Sequence, residues 1–235
     1  FNKMADNIQS NDNSRGQFMG NIAHELRTPM TTIKGFIDGI LDGTIPPDMQ
    51  NHYLQLVSEE TGRLARLIQN MLDLSKLESG EYQVNARMFN IWETLTGVAL
   101  AAEQRINDGM IELEGLTMDE KVLVYADPDL IHQVAYNLLD NAIKYSAPGG
   151  RITVKIWQGE YKAFIEIIDQ GRGIPPEDLE NVKTKFYKGS NSVRGSGIGL
   201  ALVDSIMTAL DGTLDLKSTL GRGTVVTLGL PIYKR

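Results

Sequence analysis

Residues 18–36 read FMGNIAHELRTPMTTIKGF, and this stretch decides the fold of the first third of the chain. Phe18, Ile22 and Leu26 recur every four positions, which is the spacing of a buried stripe on a helix. With Phe18 at zero and about 100° per residue, the later apolar residues fall within about 120° of it: Ile22, Leu26, Met30, Ile33, Ile37 and Ile40. His24 falls at about 240°, nearly opposite this stripe, so we expect its side chain to face solvent.

The neighbours of His24 are a second feature of the same stretch. Glu25 follows it directly, and Thr28 lies one turn further along the same face, at about 280°. Pro29 has no N–H to donate to the carbonyl of Glu25, so the helix is predicted to bend or loosen beside the histidine.

This grouping favours chemistry at the imidazole. Glu25 can orient the ring and take its proton, which leaves a neutral nitrogen as nucleophile, and Thr28 can hold a water in line with a phosphorylated imidazole. The plainer alternative is that His24 is an ordinary exposed histidine. His52 and His132 have no such neighbours, and we interpret them as structural or surface residues.

Two amphipathic helices are predicted in the first third of the chain. The first covers residues 14–41 and ends at the breaker residues of DGTIPPD, and the second covers residues 48–78 and stops near Gly80. Joined by a short loop, they form an antiparallel hairpin. One hairpin buries only one stripe per helix, so we expect a homodimer that forms a four-helix bundle. The alternative is a monomeric hairpin packed on the rest of the chain.

Composition bounds the remaining possibilities. The chain has 235 residues, of which 42% are hydrophobic, enough for two domains with cores. The net charge of -7 argues against a nucleic-acid partner. The absence of cysteine excludes disulfides and thiolate metal sites. No run of about 18 apolar residues is present, and because the chain begins at Phe1 we expect a fragment with a membrane segment upstream.

After Gly80 the pattern alternates between strands and helices. Strands occur mostly in adjacent pairs with helices between the groups, which predicts an α+β sandwich. The predicted strands are 81–89, 110–115, 121–126, 150–158, 161–169, 213–219 and 223–231, and the predicted helices are 90–107, 127–146 and 197–210.

The segment NLLDNAIKYS carries the first part of a predicted nucleotide pocket. Asn137 and Asn141 lie one helical turn apart, and their amide oxygens suit Mg²⁺, which is bound mainly through nucleotide phosphates. Asn141 is the first candidate ligand for the metal and Asn137 the second. Lys144 can reach a phosphate, and Tyr145 can pack on a base. Alone this pattern is weak evidence for a nucleotide pocket, because paired asparagines also stabilise loops by hydrogen bonds.

Two glycine loops complete the predicted pocket. Asp169 at a strand end precedes Gly171 and Gly173, and a carboxylate there can accept from the exocyclic amine of adenine. Further on, the segment GSGIGLAL opens a helix whose bare amides suit phosphates, through Gly195, Gly197 and Gly199. The polar segment 180–194 between these loops is predicted to be a lid, with Lys185 and Lys188 able to meet phosphates.

Together these segments resemble bacterial two-component sensor histidine kinases over essentially the whole chain. FMGNIAHELRTPM resembles the phosphoacceptor motif, and NLLDNAIKYS, DQGRGIP, KFYKGS and GSGIGLAL resemble the N, G1, F and G2 boxes. The resemblance implies that His24 is phosphorylated, Glu25 is the general base and Thr28 serves a phosphatase reaction. It adds Ile174, Tyr187 and Leu200 to the ATP-binding residues.

The resemblance also implies an organisation and partners. Residues 1–13 resemble the end of a HAMP signalling helix, 14–80 the dimerisation and phosphoacceptor domain, and 81–235 the ATP-binding domain of the gyrase, chaperone and histidine kinase type. The implied cofactors are ATP and Mg²⁺, and the partners are a second copy, a response regulator receiver domain and an upstream transmembrane sensor. We therefore expect a cytoplasmic fragment of a protein in the inner or cell membrane.

One departure from the family pattern bears on the phosphates. Lys185 and Lys188 stand where the F box usually has arginine, so the bidentate fork is lost. Two other functions remain as alternatives, an inactive kinase that serves as a dimeric docking scaffold and an ATPase of the related superfamily. The ATPase is disfavoured because those enzymes carry a glutamate at the position of Asn137, and an amide cannot activate water.

Overall fold

The computed structural model describes residues 2–116, 121–189 and 195–232, with side chains from Met19 onward. The chain divides into two compact units, one up to Leu72 and the other from Asp73 to the C-terminus. This division falls before the predicted boundary at residue 80, because the last turns of the second helix make their contacts with the second unit.

The first unit is the predicted helical hairpin. Helix α1 runs from Asn2 to Leu41 and α2 from Pro47 to Ser79. The turn between them is closed by the Ile45 amide, which donates to the Gly39 carbonyl at 2.7 Å. Beyond the turn the rings of Phe36 and Tyr53 meet edge to face at 5.1 Å. The antiparallel hairpin is therefore confirmed.

Helix α1 begins earlier than predicted. The segment 1–13, expected as the end of a HAMP-like signalling helix, continues into α1 from Asn2 without interruption. The side chains there, and that of Phe18, lie outside the described residues.

The apolar stripe of α1 is only partly covered within one chain. Met30 is 58% exposed and Ile37 is 39% exposed. The remaining described members are half-buried: Ile22, Leu26, Ile33 and Ile40. On α2, Ile68 and Leu72 are also exposed. The hairpin thus retains apolar surface along both helices.

The second unit is a five-stranded sheet with helices and a separate two-stranded sheet. The elements are β1 (Arg87–Asn90), α3 (Ile91–Ala101), α4 (Glu103–Asp108), β2 (Glu112–Glu114), β3 (Leu123–Ala126), α5 (Pro128–Tyr145), β4 (Arg151–Gln158), β5 (Lys162–Asp169), α6 (Pro176–Leu179), α7 (Gly199–Ala209), β6 (Thr213–Thr219) and β7 (Gly223–Pro231). The strand order is β2-β4-β5-β7-β6, and β1 pairs with β3. Only β2 with β4 is parallel among these pairs.

The core lies between the five-stranded sheet and helices α3, α5 and α7. Alternate residues of β5 are buried, as expected for a strand with one covered face. Helix α5 contributes several residues that are at most 3% exposed, namely Leu130, Ile131, Val134, Ala135, Leu138 and Ala142. Burial of α5 between its neighbouring helices and β5 fixes the position of the asparagines that it carries. The predicted α+β sandwich is confirmed.

Several elements differ from those predicted. The strand expected over 81–89 is reduced to β1, because the amide of Tyr82 bonds to Lys76 at the end of α2 and that of Asn85 bonds to the Asp127 carboxylate. The helix expected over 90–107 breaks into α3 and α4 at Ala102, whose ψ is 0°. Helix α6 was not predicted, and α7 begins at Gly199 rather than at residue 197.

Candidate functional sites

His24 lies on the exposed face of α1, as the helix arithmetic predicted. Its side chain is 77% exposed, and its Nδ1 lies 3.9 Å from Oε1 of Glu25, whose side chain is 13% exposed. This distance is too long for a hydrogen bond, but it keeps a carboxylate beside one ring nitrogen. The other ring nitrogen, Nε2, is left to incoming groups.

Thr28 and Pro29 shape the helix immediately after His24. The Thr28 hydroxyl donates to the His24 carbonyl at 3.3 Å, one turn back along the helix. Helix α1 continues through Pro29, which is buried, so the predicted loosening amounts to one missing backbone donor rather than a break.

Asn137 joins the N box to the G2 loop. Its Nδ2 donates to the Gln133 carbonyl at 2.8 Å. Its Oδ1 faces the start of α7, where a Cβ added to Gly199 would lie 2.9 Å away. Asn137 and Gly199, which were predicted separately, are therefore in direct contact. Asn141 lies one turn further along α5 and is half-buried.

Asp169 lies at the end of β5 and is held by two backbone amides. Its Oδ1 accepts from the Gly171 amide at 2.8 Å and from the Thr224 amide at 3.2 Å. Burial raises the pKa of the Asp169 carboxyl above its ordinary value, and the two hydrogen bonds oppose the shift. Because Oδ1 is engaged by these two amides, Oδ2 is the oxygen that could accept a hydrogen bond from a nucleotide base.

The G1 loop is packed so closely that glycine is required. A Cβ at Gly171 would lie 2.4 Å from the Tyr145 carbonyl oxygen, and one at Gly173 would lie 2.0 Å from that of Thr219. The next amide, that of Ile174, donates to Ser218 Oγ at 2.9 Å. The loop is thus fixed between the end of α5 and the β6–β7 hairpin.

Sequence reasoning missed Ser218 and Thr224, which support this loop. Ser218 Oγ and Thr224 Oγ1 lie 2.9 Å apart, and both residues belong to one cross-strand pair of β6 and β7. The sequence could have indicated this pair, because a hairpin formed by the adjacent strands β6 and β7 places Ser218 opposite Thr224. Their link to Asp169 depends on β7 pairing with β5, a topology that no local pattern reveals.

The G2 loop meets the F box through Gly197. Its φ is +69°, and a Cβ there would lie 2.7 Å from the Tyr187 carbonyl oxygen. The Phe186 amide donates to the Gly197 carbonyl at 2.9 Å, which joins the two ends of the intervening segment. Gly195 and Leu200 are half-buried at the same loop and in the first turn of α7.

Lys144 and Tyr145 meet a third residue that the sequence did not single out. The ammonium of Lys144 lies 4.6 Å from the centre of the Tyr145 ring and donates to its hydroxyl at 3.0 Å. The guanidinium of Arg172 lies 4.7 Å from the same centre. Two cations therefore share one aromatic ring at the end of α5.

The predicted F-box residues have protein partners in this structure. Lys185 is paired with Glu78 near the end of α2, at 2.5 Å to Oε1 and 2.6 Å to Oε2. The Tyr187 hydroxyl donates to buried Asp178 at 2.5 Å, and this bond raises the pKa of Tyr187. Lys188 is exposed. Residues 190–194 of the predicted lid lie outside the described residues.

The donor set at this pocket suits magnesium that is held largely by phosphate. Asn137 has its amide nitrogen engaged and its oxygen directed at α7, and Asn141 adds a half-buried amide. In the described residues no three histidine, cysteine or acidic side chains converge on a metal position. Hard amide oxygens with few carboxylates match a cation that retains waters and phosphate ligands.

Two family models match the chain in sequence. Residues 14–80 match the His Kinase A (phospho-acceptor) domain, and residues 126–234 match the histidine kinase-, DNA gyrase B-, and HSP90-like ATPase domain. Among curated proteins, the sensor histidine kinase YclK of Bacillus subtilis is 34% identical over 97% of this chain and 49% of its own length. WalK of the same organism is 32% identical over 95% of this chain and 37% of its own length. The chain thus spans half or less of these relatives.

Solved structures agree with the sequence comparison. The histidine kinase AdeS of Acinetobacter baumannii has a TM-score of 0.75 and 28% identity, over 90% of this chain and 98% of that one. The mycobacterial sensor histidine kinase MprB has a TM-score of 0.55 and 30% identity, over 62% and 97%. The chain belongs to the histidine kinase family. Its part of that architecture is the phosphoacceptor hairpin with the ATPase-type domain, and none of the described helices is long and apolar enough to cross a bilayer.

Proposed function

We propose that this chain is the core of a sensor histidine kinase that transfers the γ-phosphoryl group of ATP to His24. The observation that carries the proposal is the exposed imidazole beside the Glu25 carboxylate on α1. In the transfer, Nε2 forms a bond to the γ-phosphorus while the bond to the bridging oxygen breaks, and ADP leaves. Glu25 takes the proton from Nδ1, so the phosphorylated ring ends neutral.

The pocket of the second unit supports ATP as the donor. Asp169 accepts from the adenine amine, and the amides at the start of α7, opened by Gly195, Gly197 and Gly199, meet the phosphates. The apolar walls come from Ile174 and Leu200. Asn141, with Asn137, would hold Mg²⁺, which neutralises phosphate charge when bound.

The lysines and Tyr187 complete the proposed phosphate contacts. Lys144 is within reach along α5, whereas Lys185 must leave Glu78, and Lys188 is exposed. Tyr187 donates to Asp178, so we assign it to positioning the F box beside the nucleotide.

The partners are inferred from the same family. The exposed apolar surface of the hairpin supports a homodimer with a four-helix bundle. A solved complex of the histidine kinase ThkA with the response regulator TrrA has a TM-score of 0.74 and 25% identity to this chain, over 94% of this chain and 63% of that one. By analogy, phosphorylated His24 passes its phosphoryl group to an aspartate of a receiver domain.

The chain's place in a longer protein is also proposed. We assign residues 1–13 to the end of a HAMP-like helix, 14–80 to the phosphoacceptor domain and 81–235 to the ATP-binding domain. An upstream sensor with transmembrane segments would place these domains on the cytoplasmic side of the cell membrane. Neither nucleic acid nor a second cofactor enters the proposed reaction.

The decisive experiment is labelling with ATP that carries radioactive γ-phosphate. The intact chain is expected to retain label that is labile in acid and stable in base, and His24→Gln is expected to abolish it. His52→Gln, a matched change at an exposed histidine of α2, should leave the label unchanged. Label that survives in His24→Gln would refute the assignment, and failure to bind ATP at all would favour the docking scaffold.

The phosphatase role of Thr28 has its own test. Thr28→Ala is expected to slow dephosphorylation of a phosphorylated receiver domain while autophosphorylation of His24 stays near the level of the unchanged chain. Thr32→Ala, a similar change at the next helical turn, is the control, because its hydroxyl also donates to the helix backbone. Equal loss of both reactions in Thr28→Ala would indicate a structural effect instead.

A further inference from the structure

Arg172 is bound to Tyr145 at two points. Its backbone N–H donates to the Tyr145 carbonyl at 3.3 Å, and its guanidinium carbon lies 4.7 Å from the centre of the tyrosine ring. A cation within about 6 Å of a ring centre is attracted by the electron-rich face of the ring. Arg172 therefore fixes both the backbone and the side chain of the residue that ends α5.

The backbone of Arg172 is held on both sides. Its carbonyl accepts from the Gly221 amide at 2.7 Å, in the turn between β6 and β7. The preceding residue, Gly171, has no room for a Cβ between the Tyr145 carbonyl and Asp169. The backbone from which the Arg172 side chain extends is thus fixed relative to the Tyr145 ring and to the Asp169 carboxylate, which is proposed to bind adenine.

Lys144 shares the same ring but has a second proposed task. Its ammonium lies at the ring and at the tyrosine hydroxyl, and it is also the α5 cation proposed to meet phosphate. An ammonium that turns toward phosphate weakens its contact with the ring. Arg172 keeps its contact through that change, because its attachment does not depend on Lys144.

We propose that Arg172 is a positioning residue for the nucleotide base, which holds the Tyr145 ring as the wall on which adenine packs. The proposal rests on the proposed function, since it requires adenine beside Asp169 and Tyr145. Its action passes through the ring and not through the phosphates. It therefore predicts equal effects on ATP, ADP and adenosine.

The first test measures binding of these three ligands to the intact chain by titration. Arg172→Ala is expected to weaken all three by a similar factor of about three to five, which corresponds to an exposed cation–π contact. Arg172→Lys should recover part of the loss, because a cation is retained without the flat guanidinium. Arg87→Ala, at an exposed arginine of β1, should change nothing. A loss for ATP and ADP that spares adenosine would overturn the proposal in favour of a phosphate contact.

The second test is a double-mutant cycle with Tyr145. In the Tyr145→Leu background, Arg172→Ala is expected to have no further effect on adenosine binding, because the ring through which it acts is gone. Effects that simply add would overturn the proposal. In autophosphorylation assays, Arg172→Ala should raise KM for ATP by the same factor and leave the rate at saturation unchanged.

Binding to the unchanged chain separates a failure of the proposed function from a failure of the role of Arg172. If the unchanged chain binds neither ATP nor adenosine, the proposed function itself is wrong. If it binds both and Arg172→Ala binds them equally well, only the role of Arg172 is wrong.

Discussion

Asp169 is the residue at which stability and binding are opposed. Its carboxylate is partly buried and has a raised pKa, so the charged form is disfavoured relative to the unfolded chain. The same charge is the proposed acceptor for the adenine amine. The charged Asp169 carboxylate thus lowers the stability of the folded protein while it serves the proposed binding of adenine.

Asp169→Asn is expected to abolish ATP binding without destabilising the protein. An amide oxygen can still accept from the Gly171 and Thr224 amides. Because the folded pKa is raised, the unchanged protein loses stability as pH rises from about the ordinary value of 3.8 to the folded value. The thermal midpoint of Asp169→Asn relative to the unchanged protein should therefore be higher at pH 7 than at pH 3. A large fall in the midpoint at pH 7 would contradict this account.

Gly171 and Gly97 form a matched pair of glycine substitutions. Gly171→Ala places a methyl group 2.4 Å from the Tyr145 carbonyl oxygen, so the G1 loop must shift and ATP binding should fall at least tenfold. Gly97 is exposed within α3, with nothing within 4 Å of an added Cβ, so Gly97→Ala should stabilise the protein by about 1 kcal/mol. Titration with ATP and denaturant unfolding measure the two effects. Similar behaviour of both variants would contradict the packing argument.

At the residue scale, the sequence predicted much of the candidate site. The exposure of His24 followed from helical spacing, because one side of a long helix must be apolar. Asn137 and Gly199 were predicted separately, and the structure brings them into contact. Arg172 and Asp178 were missed, since their partners Tyr145 and Tyr187 are set by loop packing rather than by any repeating pattern.

At the element scale, the end of α2 belongs by its contacts to the second unit. Asp73 accepts from the Gln133 side chain of α5 at 2.9 Å, and Glu78 pairs with Lys185. The last two turns of α2, which belong to the second unit, therefore contact α5 and the F box. The division between the two units therefore falls inside α2, between Leu72 and Asp73, where the sequence has no glycine or proline.

Glu78→Gln is expected to increase affinity for ATP about twofold to fivefold. Glu78 would compete with phosphate for Lys185 if Lys185 binds the nucleotide as proposed, and a partly exposed ion pair contributes at most about 1 kcal/mol. Calorimetric titration of the intact chain provides the measurement. Glu81→Gln, an exposed change just beyond α2, serves as control. Unchanged affinity in Glu78→Gln would mean that Lys185 does not meet phosphate.

Two errors in element prediction lie just after α2 and within the helix that follows β1. The segment 81–86 has the composition of a strand, but its amides find partners at the end of α2 and at Asp127. The long helix expected to end at residue 107 is interrupted at Ala102, although alanine favours helix. In the segment 81–86 hydrogen bonds to other parts of the chain outweigh local preference, whereas nothing in the structure explains the break at Ala102.

At the scale of the whole molecule, the apolar surface of the hairpin bears on assembly. Ile37→Glu introduces a charge on the partly exposed stripe of α1 and is expected to convert a dimer to monomer. Leu100→Glu, at a leucine of α3 that is 65% exposed, should leave the dimer intact. Light scattering after size-exclusion chromatography measures both. ATP binding should persist in each, because the residues proposed to bind the nucleotide all lie in the second unit. A dimer that survives Ile37→Glu would contradict the proposed interface.

The class of fold was predictable at this scale, but the arrangement of strands was not. Adjacent hairpins such as β4 with β5 and β6 with β7 follow from short connections. The pairing of β5 with β7 and of β1 with β3 joins segments far apart in sequence, and local periodicity carries no information about it.

The hydrogen bond between Phe186 and Gly197 has a further consequence for how such a domain can change. Because the two ends of the intervening segment already meet, added residues need only close a slightly longer loop, and each doubling of loop length costs only about 0.6 kcal/mol. Phe186 and Gly197, on either side, are expected to keep their hydrogen bond when the length of the segment changes. A change in the length of this segment is therefore expected to leave the geometry proposed to recognise the base unchanged.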